Sequence, residues 1–91
     1  KNKTKIAEQI KELYEKTKIF FNKNGLMLNW KEFEKLDQDQ KINTLAMIAP
    51  ISNEEKQTVL ESVHIESKTK VLSEIIEFYL HGNLVTELTL Q

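Results

Sequence analysis

Residues 5–25 read KIAEQIKELYEKTKIFFNKNG, and within them Ile6, Ile10, Leu13, Thr17 and Phe20 recur at spacings of four, three, four and three. On a helix of 3.6 residues per turn that spacing gathers the side chains on one face, whereas a strand would need strict alternation. The stretch is therefore read as an amphipathic helix. Asn24-Gly25 closes it, because glycine enters the left-handed conformation that satisfies the last carbonyls of a helix. The stripe resembles a coiled-coil seam, but about two heptads do not require one, and a helix packed on its own domain is expected.

Working outward, each later segment carries its own start and stop. Leu26, Met27 and Leu28 form a short apolar connector. Asn29 then offers an N-cap with Glu32 three positions on, opening a short helix that carries Trp30, Phe33 and Leu36. Asp37 caps a third helix whose expected apolar face is Ile42, Leu45, Ala46 and Ile48, with Pro50 as its stop. Ser52-Asn53-Glu54-Glu55 reads as a capping box, Ser52 accepting from the Glu55 amide while Glu55 reaches back to the Ser52 amide. The fourth helix carries Val59, Leu60 and Val63, and gives way near His64-Ile65 to a fifth with Val71, Leu72, Ile75, Ile76, Tyr79 and Leu80, expected to end at Gly82. Short links favour neighbours that pack together, so the expected fold is all-α: a compact bundle of four or five helices over residues 1–83, with 84–91 as a tail or short extended segment.

Length and composition agree. Ninety-one residues make one domain. With 40% apolar and 30% charged residues the chain lies in the ordinary globular range. Its net charge of −1 conceals an asymmetry, since residues 1–25 hold seven Lys against three Glu and residues 26–91 hold six Lys against eleven acids. All thirteen basic residues are Lys. Without the planar fork of Arg, the basic start reads as a solvated helix face, and no nucleic-acid partner is expected. No apolar run reaches the ~18 residues of a membrane span and no signal peptide is recognisable, so a cytoplasmic protein without a membrane partner is expected. The start at Lys1 suggests a piece cut from a longer protein.

The chemistry-bearing residues do not converge. With no Cys there is no disulfide, thiolate site or thiol nucleophile. His64 and His81 lack metal-ligand spacing, the two glycines, Gly25 and Gly82, make no phosphate loop, and Ser52, Ser62, Ser67 and Ser73 have no Gly-flanked nucleophile turn. Glu54 and Glu55 sit in a first helical turn, where the macrodipole favours carboxylates. No catalytic residue, metal or cofactor is expected. Trp30 and Phe33, three apart on one helix, face one direction and form either core or a peptide-binding patch, the core being favoured in so small a domain.

One resemblance goes further. The run Phe20-Phe21, Asn24-Gly25-Leu26, Asn29-Trp30 and then Leu45-Ala46-Met47-Ile48-Ala49-Pro50-Ile51-Ser52-Asn53-Glu54-Glu55-Lys56-Gln57-Thr58-Val59-Leu60-Glu61 resembles the helical C-terminal part of the Lon protease N-terminal, substrate-binding domain. It is most similar to that domain in stand-alone bacterial LON-domain proteins, which carry a peptidase S16 label. Asn29 and Ala49 depart from the family's usual acidic residue and Cys. The resemblance implies a fragment of a larger α+β domain whose β-rich half lies upstream and packs on this bundle. The ATPase and serine–lysine peptidase motifs of the full ATP-dependent protease have no counterpart here, so the label would describe ancestry. What it implies is recognition of unfolded or tagged polypeptides, or contact with a protease or ATPase partner, by binding. Gly25, Trp30, Pro50, Ser52, Glu55 and Leu60 read as structural motif residues, Leu60 as core. Trp30, Phe33, Lys56 and Gln57 are the candidate protein contacts. The alternative is a structural or oligomerisation bundle pairing through the face of residues 6–20 or the apolar segment 84–90.

Overall fold

The computed structural model describes the backbone of residues 2–90 and the side chains of residues 5–81. Five helices follow one another, α1 (Asn2–Lys23), α2 (Trp30–Phe33), α3 (Gln38–Ile48), α4 (Asn53–Glu61) and α5 (Ile65–Leu90), with no strand among the described residues. The chain is an all-α bundle.

The boundaries follow from local chemistry. Gly25 stands at φ 71°, its amide donates to the Asn22 carbonyl at 3.2 Å, and the Leu26 amide donates to the Phe21 carbonyl at 2.9 Å. These two crossing bonds form a Schellman motif that pairs the end carbonyls of α1. Asn29 accepts from the Glu32 amide at the start of α2. Capping boxes close the N-termini of α3 and α4: Asp37 with Gln40, and Ser52 with Glu55. Pro50 stops α3, since the residue before a proline avoids the helical region, and Ala49 lies at φ −62°, ψ 141°.

The core is one cluster in which Leu13, Phe21, Ile42, Leu45, Val59, Leu72 and Ile76 are at most 2% exposed. The stripe of α1 is buried as expected at Ile6, Leu13, Thr17 and Phe20. Thr17, polar and fully enclosed, donates its hydroxyl to the Leu13 carbonyl at 2.7 Å, which satisfies it within its own helix.

The largest helix pairing joins α1 to α5. Lys16 reaches both Ser73 and Glu77, and Phe20 stacks on Tyr79 with centroids 5.5 Å apart. Gln9 and Glu12 lie beside Thr69 and Ser73. Contacts thus advance in the same direction along both helices, so α1 and α5 run parallel, and α2, α3 and α4 form the return connection that a parallel pair needs. Lys68, nearly buried, ties α5 to α3 through its ammonium, 3.0 Å from Asn43 Oδ1 and 3.7 Å from Asp39 Oδ1.

Four expectations are corrected. Leu60 is not core but 38% exposed, because α4 buries a narrow stripe through Val59, and the next residue points about 100° away. Val63 is exposed because α4 ends at Glu61 and the chain turns extended at Ser62. Ile48 is exposed because the buried face of α3 runs Ile42, Leu45, Ala46 and Ala49, leaving Ile48 off that stripe. The backbone of α5 continues through Gly82 to Leu90, so residues 84–90 extend the helix rather than forming an extended segment. A glycine inside a helix costs only about 1 kcal/mol relative to alanine and need not end it. Gln91 and the side chains expected in the apolar tail lie outside the described residues.

Candidate functional site

The Schellman turn that ends α1 also shapes the surface beside it. The Leu26 amide is tied to the Phe21 carbonyl there, and both side chains line the surface that follows. Leu26, Met27 and Leu28 then cross towards α2, and together with Phe21, Trp30, Lys18 and Asn22 they line a hollow of about 320 Å³. Its floor is apolar. Met27 is 98% exposed, the most exposed of the chain's large apolar side chains among the described residues. Methionine is flexible and polarizable, so it adapts to varied apolar surfaces.

Behind the hollow stands an aromatic cluster. The Trp30 ring lies 5.1 Å from Tyr14, 5.4 Å from Phe33 and 6.2 Å from Phe21, measured between centroids. Phe33 is buried in the core and Trp30 is half-buried against it, so the single Trp joins core to surface instead of being enclosed as expected. The Lys18 ammonium sits 4.7 Å from the Tyr14 ring centre and 5.5 Å from that of Trp30. This is cation–π range, and Lys18 makes no ion pair among the described residues. The Tyr14 hydroxyl donates to Glu34 at 3.2 Å. Burial, that hydrogen bond and the Glu34 charge push the Tyr14 phenol up to about 12, so it stays neutral and acts as a wall.

The four candidate contacts do not form one site. Trp30 lines the hollow and Phe33 lies behind it. Lys56, on α4, donates to the Met47 carbonyl at 2.7 Å and so serves the C-terminal end of α3, while Gln57 donates to Glu61 within α4 at 3.2 Å. Of the motif residues, Gly25, Pro50, Ser52 and Glu55 hold helix ends, and Leu60 is on the surface. Lys18, Tyr14 and Met27 were not singled out from the sequence. The four-residue spacing of Tyr14 and Lys18 on α1 was the available signal for the first two.

A serine–lysine contact occurs elsewhere. Lys16 donates to Ser73 Oγ at 3.3 Å, but it is also ion-paired with Glu77, whose carboxyl is drawn below its usual range by the Lys16 hydrogen bond and charge. Lys16 is thus engaged by a carboxylate partner rather than dedicated to the serine. Both residues lie within helices, where backbone amides are occupied and form no oxyanion hole. Among the described residues, no group of three His, Cys, Asp or Glu side chains is placed to hold a metal ion. No helix among the described residues is long and apolar enough to cross a membrane.

The chain matches no protein-family model, no curated protein and no solved structure.

Proposed function

We propose that this chain is a cytoplasmic, non-catalytic recognition module that binds apolar segments of unfolded or tagged polypeptides, in the manner implied by its resemblance to the Lon-type substrate-binding domain. The observation that carries the reading is the hollow beside Trp30, with Met27 fully presented at its rim. A preformed apolar floor beside an adaptable Met suits recognition of many apolar side chains, since affinity there rests on area and flexible packing rather than on one fixed geometry. Lys18 and Asn22 offer the polar groups that an extended peptide backbone needs at its edges. The oligomerisation reading is weaker at α1, because its apolar face is already used against the rest of the chain.

Trp30, the only tryptophan, provides the measurement. Titration with a reduced, alkylated protein that cannot refold should change Trp30 emission and shift the amide signals of residues 18–30. The affinity should be micromolar or weaker, about −8 kcal/mol at best, given the small contact area. The native form of the same protein should leave the signals unchanged, and added salt should have little effect on apolar contact. Met27→Asp, at a fully exposed position, should weaken binding about tenfold. No shift at millimolar ligand, or salt-sensitive shifts confined to the Lys-rich residues 1–23, would overturn the proposal.

A further inference from the structure

A second apolar surface lies between α4 and α5 and shares no residue with the hollow. Thr58 and Glu55 of α4 and Val71, Glu74, Ile75 and Phe78 of α5 line an open groove of about 430 Å³. Phe78 is 69% exposed, and an aromatic side chain left in water forgoes the burial that stabilises most phenylalanines. Around this floor acidic side chains predominate. Thr58 has Glu54 and Glu61 as helical neighbours four before and three after it, and Glu74 stands one turn before Phe78. Glu54, Glu61 and Glu74 are exposed, and none makes an ion pair among the described residues. Glu61 accepts from the neutral Gln57 amide. Glu74 also borders the cleft towards α1, where Lys70, four residues before it, lines the same space, so one cation stands at that end of the rim; Lys56 is engaged by the Met47 carbonyl.

An apolar floor with a predominantly acidic rim selects its occupant by charge. We propose that the α4–α5 groove binds a cationic amphipathic peptide segment, whose apolar side chains cover Val71, Ile75 and Phe78 while Lys or Arg side chains meet Glu54, Glu61 and Glu74. Such a segment is a different ligand from the uncharged apolar stretch expected at the hollow. The two surfaces thus differ in charge, since Lys18 is the charged residue that lines the hollow whereas Glu55 and Glu74 line the groove.

The test uses the full chain, labelled for NMR, and two synthetic helical peptides of equal length, one of Leu and Lys and one of Leu and Glu in the same repeat. The Leu/Lys peptide should shift the amides of residues 58, 71, 74, 75 and 78, and its binding should weaken severalfold as salt screens the rim. The Leu/Glu peptide should leave those signals in place. Phe78→Ser, an exposed change compatible with folding, should weaken Leu/Lys binding at least tenfold. The double change E61Q/E74Q should weaken it severalfold and flatten the salt dependence. Equal binding of both peptides would overturn the proposal, as would shifts confined to residues 18–30. So would a concentration-dependent dimer that Phe78→Ser dissociates, because the groove would then belong to a second copy of the chain.

Discussion

Gly25 governs more of this molecule than its size suggests. It is the one position among the described residues with positive φ, and a Cβ added there would touch nothing within 4 Å. Space is therefore not the reason for glycine; the backbone conformation is. An L-residue in the left-handed region costs about 1 kcal/mol, and asparagine costs less because its side chain tolerates that region. Gly25→Ala should lower stability by about 1 kcal/mol in denaturant titration, with Gly25→Asn recovering about half. Because the same turn ties the Leu26 amide to the Phe21 carbonyl and leads into the exposed Met27, Gly25→Ala should also perturb Trp30 emission in the folded state. An unchanged spectrum with unchanged stability would show that the turn does not shape the hollow. Thr17 teaches the complementary lesson. It is the one polar member of an apolar stripe, and because its hydroxyl is satisfied four residues back it packs there at no cost in unpaired polar groups.

Among the elements, α4 shows how a cap becomes a tertiary tie. Glu55 Oε1 accepts from the Ser52 amide at 2.9 Å and from the Tyr79 hydroxyl of α5 at 2.6 Å. Burial raises the Glu55 carboxyl, but the hydrogen bonds from Tyr79 and Ser52 outweigh it and hold the group below its ordinary value. The Tyr79 phenol is raised in turn, chiefly by the bond to Glu55. A carboxyl whose folded value is depressed takes up protons more readily when unfolded. Its contribution is therefore complete above the unfolded value of about 4.3 and is lost as pH falls through the folded value. Glu55→Gln keeps the shape of the cap but removes the charge. It should cost about 1 kcal/mol at pH 7, a figure reduced by partial exposure, and the gap from the parent chain should close below about pH 4 in acid titrations. A gap that stays constant down to pH 3 would mean that Glu55 acts by shape alone.

The caps were legible in advance because they are local: Asn29, Asp37 and Ser52 each meet a partner three residues away, and Gly25 and Pro50 act through their own dihedrals. The Gln40 half of the Asp37 capping box follows the same rule, since a glutamine side chain reaches back to the cap as a glutamate does. What failed was assigning faces to short helices. In the nine residues of α4, one buried position is enough for packing, and periodicity cannot say whether Val59 or Leu60 is chosen. The tie from Lys56 to the Met47 carbonyl and that from Glu55 to Tyr79 depend on how helices meet, which spacing along the chain does not encode. The hollow was half visible, as Trp30 and an apolar connector; Lys18 and Tyr14 join it only because α2 folds back onto α1.

At the scale of the whole molecule, stability centres on two helices distant in sequence. Neither α1 nor α5 can bury its stripe without the other, because Leu13, Phe20, Leu72 and Ile76 belong to one core cluster. Amide exchange at Leu13, Thr17, Leu72 and Ile76 should therefore report the same opening free energy, equal to that of global unfolding, while α2 exchanges through smaller openings. Different values for the two helices would mean that the bundle opens in parts.

The parallel course of α1 and α5 also decides how the molecule carries mechanical load. Pulling on α1 from its first turn and on α5 from its last drives the two helices past each other along their shared axis. The contacts from Thr69 to Tyr79 then bear force together instead of peeling apart one after another. An antiparallel pair pulled from adjacent ends would open like a zip; this one behaves as a lap joint. Its lifetime under tension is set by the barrier to sliding the interlocked side chains of both helices at once.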